Sequence, residues 1–162
     1  MSDATGMEPP KPTAEHLRIQ KLAGKWNVDC TFFMDPSQPP MQCKAVETFE
    51  LVGPFWAVSK YETEFMGAPF VGRSTLGYDP RQKLWLSSWI DCMSPVQFQF
   101  TGTMKGDTLT MTGEAWSCMT NQVALHRITH RHVNADAWVA EMFQAMPDGK
   151  EFQMMRCAYR RA

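Results

Sequence analysis

The feature that most constrains this chain is an alternation of apolar and polar residues with a period of two, running from Lys25 almost to the C-terminus. Side chains of a β-strand point alternately to its two faces, so this pattern predicts strands with one buried face. Segments rich in Gly, Pro, Asp and Asn divide the pattern into turns. The predicted strands are Lys25–Phe33, Cys43–Leu51, Trp56–Phe65, Phe70–Tyr78, Lys83–Asp91, Val96–Met104, Thr108–Trp116, Gln122–Val133, Ala137–Met146 and Glu151–Arg160.

Most of these strands are separated by short turns, so sequence neighbours are expected to pair as antiparallel hairpins. A flat sheet of about ten such strands would expose two unpaired edges, and closure into a barrel removes both of them. The predicted fold is therefore all-β, an antiparallel up-and-down β-barrel of about ten strands. A β-sandwich is the alternative arrangement of the same strands.

The segment before the first strand has a different character. Residues 1–11 carry Gly, Pro and charge without periodicity, which predicts a flexible tail ahead of one barrel domain at 12–162. A short helix is expected to begin at Pro12–Thr13, with Thr13 as its N-cap and Gly24 as its C-terminal stop.

Composition narrows the class of protein. The chain has 162 residues, of which 44% are hydrophobic and 20% charged, as in a single globular domain. A net charge of -1 without a basic stripe argues against nucleic-acid binding. No apolar run reaches the roughly 18–20 residues that span a bilayer, and the first residues lack a secretory signal. The five cysteines have no C-x-x-C spacing, so we expect reduced thiols and a cytoplasmic location.

Several separate blocks of the sequence resemble one family. They are Pro10–His16, Leu22–Trp26, Thr75–Pro80, Trp89–Ser94 and Met154–Arg161. In this order they are similar to the bacterial DUF1579 family, and the similarity covers nearly the whole chain from residue 10 onward. The function of that family is unassigned, so the resemblance supports the fold and implies no activity.

The Gly24–Trp26 element resembles the G-x-W with which calycin and lipocalin-like barrels begin. This resemblance implies that Trp26 closes one end of the barrel and that an arginine of the last strand packs over it. Arg156 or Arg160 is expected to make that cation–π contact, worth about 0.5–2 kcal/mol. The expected role of these residues is structural.

Strand alternation predicts which side chains face the barrel interior. Arg127 and Arg131 should point to solvent, which places the residues of opposite parity on the same strand inside. The predicted lumen is apolar and aromatic, and barrels of this size can hold one small ligand. The residues expected to meet a ligand are Phe98, Phe100, Trp116, His126, Trp138 and Met142, together with Asp91 and Met93 at the barrel mouth.

The leading functional hypothesis is that the barrel binds a small hydrophobic or amphipathic molecule without catalysis. Cys92 has no local base, and Asp91 is expected to hydrogen-bond a turn backbone, so no catalytic residue is predicted. Carboxylate pairs at a distinctive spacing, phosphate-binding glycine loops and a G-x-S-x-G element are absent from the sequence. The alternatives are side chains that simply fill the interior, an enzyme of unknown reaction, and a scaffold whose outer strands form a homo-oligomer.

A second hypothesis concerns the histidines of one predicted strand. His126, His130 and His132 share a face, and residues two apart on a strand lie roughly 6.5–7 Å apart, within reach of one metal ion. Zinc or copper would need further ligands. Haem is a related possibility, because nitrobindin-like barrels, which this fold resembles in architecture, hold haem through one lumen histidine. The sequence itself requires no cofactor.

Overall fold

The computed structural model describes residues 8–162, in which one helix precedes ten strands. The helix, α1, spans Ala14–Gln20. Residues 1–7 of the expected tail lie outside the described part, and the domain limits stay a prediction. The strands are β1 Gly24–Phe32, β2 Met41–Val52, β3 Trp56–Phe65, β4 Ala68–Asp79, β5 Leu84–Asp91, β6 Ser94–Lys105, β7 Thr108–Ser117, β8 Gln122–Asn134, β9 Ala137–Ala145 and β10 Glu151–Arg161.

The ten strands form one closed antiparallel barrel. Each strand pairs with its neighbours in sequence, and β1 closes the barrel by pairing with β10, from Trp26 opposite Arg161 to Phe32 opposite Met155. This confirms the predicted up-and-down barrel and excludes the sandwich. We call the β1–β10 pairing the seam, because it is the contact that joins the two ends of the sheet.

Helix α1 lies across the end of the barrel at which β1 begins. Thr13 is its N-cap, as expected, and the Thr13 backbone N–H donates to Nδ1 of His16 (2.9 Å). The other ring nitrogen of His16 donates to the carbonyl oxygen of Tyr78 in β4 (3.0 Å). Ile19 and Leu22 are buried against the barrel interior. The helix therefore covers this end of the barrel.

Trp26 plugs the same end. Its Nε1 donates to the carbonyl oxygen of Leu22 (2.8 Å), and the Arg161 guanidinium lies 4.3 Å from its ring centroid. The expectation that Arg156 or Arg160 packs over the tryptophan is wrong, because both are exposed on the outer face. Arg161 lies directly opposite Trp26 in the register, and directly opposed residues of paired strands share a face.

A disulfide crosses the seam between Cys30 of β1 and Cys157 of β10. The expectation of reduced thiols is therefore wrong for these two residues, while Cys43, Cys92 and Cys118 are free. The two half-cystines are 127 residues apart in sequence. No local spacing signals such a pair, because only closure of the first strand against the last makes them neighbours.

The inward faces of the strands supply the core of the molecule. Many of these inward side chains are aromatic, and the helix adds Ile19 and Leu22 to the same cluster. No helix in residues 8–162 is long and apolar enough to cross a membrane. The largest fully buried side chains are Trp26, Ile19, Met111, His126, Gln144, Cys30, Cys157 and Ser59.

Candidate functional site

A small pocket lies inside the barrel, directly beneath α1. Its volume is about 20 Å³, which is enough for one water molecule. Aliphatic and aromatic side chains make up most of its wall, with an arginine of α1 and two histidines of β8 as the polar groups. The lining residues are Arg18, Ile19, Leu22, Leu76, Trp85, Met104, Leu109, His130, His132 and Trp138.

Trp138 is at the centre of a column of stacked rings beside this pocket. The ring of Tyr159 is stacked with the indole at 3.6 Å between centroids, with the planes 10° apart. His130 is also stacked with it, at 5.2 Å and 19°, and His132 at 6.4 Å and 28°. The column arises because Trp138 is the register partner of Tyr159 in β10 and of His132 in β8. Adjacent strands thus place these rings at one level of the barrel.

The indole N–H of Trp138 is the unusual group in this column. Trp138 is 4% exposed, and within residues 8–162 its Nε1 has no hydrogen-bond partner. A buried donor without a partner costs about 1–3 kcal/mol relative to a paired one. Such a donor on a residue that lines a pocket marks a position where a ligand acceptor would be stabilised.

Burial lowers the pKa of His130 to about 4, and the neighbouring His132 adds to this effect. His130 is half-buried and lines the pocket. The imidazole is therefore neutral at pH 7 and offers one hydrogen-bond donor and one acceptor. Burial also lowers the pKa of His132.

The low pKa of His130 predicts a specific pH dependence of stability. Folding keeps the ring neutral, so this histidine destabilises the folded state as the pH falls from 6.5 towards about 4. The gap between these values corresponds to about 3 kcal/mol. We expect a His130→Phe variant, which keeps a stacked ring, to lose that part of the pH dependence in urea denaturation between pH 7 and pH 4. Thr129→Val on the same strand is the control and should follow the wild-type profile.

A buried carboxylic acid lies behind the stacked column. Glu47 of β2 is 3% exposed, and its Oε2 accepts a hydrogen bond from the Tyr159 hydroxyl (2.7 Å). Its Oε1 accepts from the hydroxyl of Ser59, which lies 2.6 Å from the hydroxyl of Ser74 on β4. We call Glu47, Ser59, Ser74 and Tyr159 the Glu47 cluster. Tyr159 belongs both to this cluster and to the column beside the pocket.

Burial perturbs the ionisable groups of the Glu47 cluster. Burial raises the pKa of the Glu47 carboxyl, and the hydrogen bonds from Ser59 and Tyr159 oppose this only in part. Burial beside Glu47 raises the pKa of Tyr159 as well, so its phenol stays protonated and donates. Interior polar groups with perturbed pKa values are candidates for function, since apolar side chains would fill the same space without the desolvation penalty.

The residues predicted from the sequence to contact a ligand lie in separate regions of the structure. Trp138 borders the pocket, as do His130 and His132, which were nominated for metal binding. Phe98 and Phe100 are stacked with each other inside the barrel, 5.9 Å apart. The remaining interior residues nominated for ligand contact, His126 and Met142, also lie in the half of the barrel away from α1.

Two of the residues predicted to contact a ligand, Trp116 and Met93, do not line the interior. Trp116 is 46% exposed on the outer face of β7, because the buried Ala115 and Ser117 on either side of it take the inward positions. Met93 is 62% exposed at the turn between β5 and β6. Asp91 accepts hydrogen bonds from Nε1 of Trp89 and from the backbone N–H of Met93, both at 2.9 Å. Asp91 therefore holds the turn, as expected, and its carboxylate has protein partners.

The predicted three-histidine metal site is not assembled. Nδ1 of His126 donates to the carbonyl oxygen of Ala124 (3.0 Å), whereas His130 and His132 stack on Trp138. Within residues 8–162 no three His, Cys, Asp or Glu side chains come together in a metal-binding group. The donor set therefore does not fit zinc or copper, and a pocket of about 20 Å³ does not fit a haem macrocycle.

The Glu47 cluster and the helix residue Arg18 are not among the site residues predicted from the sequence. A signal for Glu47 was present, since Ala45, Glu47 and Phe49 occupy alternate, inward positions of β2. A glutamate between two buried apolar residues on one face of a strand indicates an interior carboxyl. No comparable signal marks Arg18, because its position beside the pocket depends on how α1 packs on the barrel.

A larger concavity, of about 540 Å³, lies on the outer surface along β2, β3 and β4. It is open to solvent and contains Lys25, Glu62 and Glu64 among its lining residues. An open, charged surface removes little of a ligand from water. The pocket beneath α1 is the better candidate because its polar groups converge in an enclosed apolar wall.

Solved structures share this fold at low sequence identity. Rv2717c from M. tuberculosis matches with a TM-score of 0.69 and 13% identity, over 94% of this chain and 99% of that chain. The S-type phycobiliprotein lyase CPES from Guillardia theta matches with a TM-score of 0.61 and 9% identity, over 93% of each chain. These likenesses show the barrel fold alone.

Comparison with curated proteins finds no match. The family described as "Protein of unknown function (DUF1579)" matches residues 11–161, which include α1 and every strand of the barrel. The blocks that resembled this family in the sequence all lie within the matched region or overlap its start. The chain therefore belongs to the DUF1579 family.

Proposed function

We propose that the protein binds one small amphipathic molecule at the end of the barrel beneath α1. The observation that carries the proposal is the buried Trp138 N–H, which lacks a partner within residues 8–162 and belongs to a residue that lines the pocket. A ligand oxygen placed there would satisfy this donor, and the neutral ring of His130 adds a second hydrogen-bonding group.

The charge at the edge of the pocket favours an acceptor that carries negative charge. Arg18 of α1 is exposed and borders the pocket, and burial raises the pKa of the Glu47 carboxyl behind the column. Leu76 and Leu109 offer apolar surface to the rest of the molecule. These groups suit an amphipathic anion with a short hydrocarbon or aromatic body.

The proposal requires α1 to move, because a pocket of about 20 Å³ holds nothing larger than a water molecule. The helix has only seven residues, and side-chain hydrogen bonds from His16 to Tyr78 and from Gln20 to Pro54 tether it to the barrel. Opening it would also expose Ile19 and Leu22, which are buried at this end of the barrel, so the apolar body of the ligand has to replace their burial. The shared fold of the phycobiliprotein lyase is compatible with this use of the barrel.

Octanoate is a suitable probe, with 1-octanol as the uncharged control of the same chain length. We expect octanoate to raise the melting temperature of the wild-type protein by more than 1-octanol does. A Trp138→Phe variant keeps the stacked ring and removes the N–H. The affinity for octanoate should fall about tenfold or more, because a hydrogen bond to a charged group is worth about 1.5–3 kcal/mol.

Trp116→Phe, on the outer face, is the matched control and should bind octanoate like the wild type. The proposal fails if neither probe shifts the melting temperature of the wild-type protein. It fails equally if Trp138→Phe and the wild type bind octanoate with the same affinity in a calorimetric titration.

A further inference from the structure

Three cysteines occupy one row across three adjacent strands. Cys30 of β1 is the register partner of Cys157 in β10 on one side and of Cys43 in β2 on the other. Directly opposed residues of antiparallel strands share a face, so all three side chains lie on the inner face of the barrel. The order across the sheet is Cys157, Cys30, Cys43, with the seam disulfide between the first two.

The three sulfurs differ in accessibility. Cys30 is 2% exposed and Cys157 is 1% exposed, so neither sulfur of the disulfide can be reached from solvent in the folded protein. Cys43 is free and partly exposed, one strand away from Cys30. Thiol–disulfide exchange needs direct approach of one sulfur to another. Cys43 is thus the member of the row that an external reagent can reach.

The strand order also places the three cysteines in the order that exchange requires. An attacking thiolate approaches a disulfide along the extension of the S–S bond, opposite to the leaving sulfur. Cys43 lies on the side of Cys30 that faces away from Cys157, because β1 is between β2 and β10 in the sheet. Attack by Cys43 on Cys30 would therefore displace Cys157.

Tyr61 supplies a proton donor at the centre of this row. Its hydroxyl lies 3.0 Å from the sulfur of Cys30, and it must be the donor because a disulfide sulfur carries no hydrogen. The same hydroxyl interacts with Cys43, and burial raises the pKa of Tyr61, so the phenol remains protonated. A protonated phenol can donate to whichever sulfur carries the negative charge during exchange.

We propose that Cys43, Cys30 and Cys157 form a thiol–disulfide relay, in which Cys43 is the entry and exit thiol for the buried seam disulfide. The reaction partner is a low-molecular-weight disulfide in the oxidising direction and the corresponding thiol in the reducing direction. This relay is independent of the ligand proposed for the pocket beneath α1.

The steps in the oxidising direction balance without further reagents. The Cys43 thiolate attacks the external disulfide, forms a mixed disulfide and releases one external thiolate. The Cys30 thiolate attacks the Cys43 sulfur and releases the second external thiolate. The Cys157 thiolate then attacks the Cys30 sulfur, forms the seam disulfide and returns Cys43 as a thiolate. One external disulfide is reduced to two thiols, which take up the two protons lost by Cys30 and Cys157.

A trapping experiment tests the central step. Cys157→Ser, made together with Cys92→Ser and Cys118→Ser, leaves Cys30 and Cys43 as the only thiols. After treatment of the folded protein with glutathione disulfide, peptide mapping should find a Cys30–Cys43 disulfide. The matched variant with Cys30→Ser in place of Cys157→Ser leaves two thiols separated by a strand, and it should form no internal disulfide. Free or only glutathionylated Cys30 and Cys43 in the first variant would overturn the proposal.

Reduction kinetics provide the second test, on the otherwise complete protein. Glutathione should reduce the seam disulfide of folded Cys43→Ser about tenfold or more slowly than that of the wild type, since the buried sulfurs lose their neighbouring nucleophile. Cys92→Ser, which removes an exposed thiol in the turn between β5 and β6, should leave the rate unchanged. Equal rates for Cys43→Ser and the wild type would contradict the relay.

Discussion

Replacement of Trp26 by alanine is expected to lower the free energy of unfolding by about 3–5 kcal/mol, the usual range for a fully buried tryptophan. Trp26 is 2% exposed and meets Trp138 edge to face at 6.2 Å. The substitution also removes the hydrogen bond to Leu22 and the ring beneath the Arg161 guanidinium. The free energy of unfolding falls because the substitution leaves a cavity at the closed end and because the segment that follows α1 is held less firmly.

Urea denaturation at pH 7 would measure this change, with Trp116→Ala as the matched control. Trp116 is 46% exposed on the outer face, so its truncation should change the unfolding free energy by less than about 1 kcal/mol. Similar losses for the two variants would mean that Trp26 does not plug the barrel. A larger loss for Trp116→Ala would contradict its outward placement.

The second large effect is expected for Gly102→Ala in β6. A Cβ at this position would overlap the carbonyl oxygen of Thr110 and lie 2.6 Å from the Cα of Met111, both backbone atoms of the neighbouring strand β7. Backbone cannot move aside as a side chain can. We therefore expect the free energy of unfolding to fall by about 3 kcal/mol or more, at or beyond the upper end of the range for core overpacking. The glycine thus permits the close approach of β6 and β7.

Gly106→Asn, in the turn that joins the same two strands, is the control for Gly102→Ala. Gly106 has a φ of +60° and no atom within 4 Å of an added Cβ. Asparagine tolerates this left-handed conformation, so Gly106→Asn should lower the free energy of unfolding by less than about 1 kcal/mol. Chemical denaturation of both variants distinguishes steric overlap at Gly102 from a general sensitivity of this hairpin, which would make the two losses equal.

Most of the fold could be predicted because hydrophobic alternation and turn chemistry are local properties of the chain. All ten strands were identified, and their limits differ from the observed ones by a few residues at most. The largest differences are at Met41, where β2 begins before the predicted Cys43, at Ala68, where β4 begins before Phe70, and at Ser94, where β6 begins before Val96. Pairing with a neighbour extends these strands into segments whose composition indicates a turn.

The candidate site was predicted only in part. The alternation along a strand predicts which face of the sheet a side chain is on, but it does not predict which other side chains it contacts. Parity correctly places His130 and Trp138 on inner faces, and it signals the inward Glu47 that we did not single out. It does not show that Trp138 is between His130 and Tyr159, since their stacking depends on the registers of β8, β9 and β10.

The sequence by itself determined the all-β class, the order of the strands and the N-cap of α1, because these features depend on side-chain periodicity and on residues close together in the chain. The tryptophan plug at Trp26 was implied by the resemblance of the G-x-W element to calycin barrels. The tertiary structure decided the features that depend on closure, which are the Cys30–Cys157 disulfide, the pairing of Arg161 with Trp26 and the pocket beneath α1. Closure joins residues from opposite ends of the chain, and no local pattern specifies the register in which they meet.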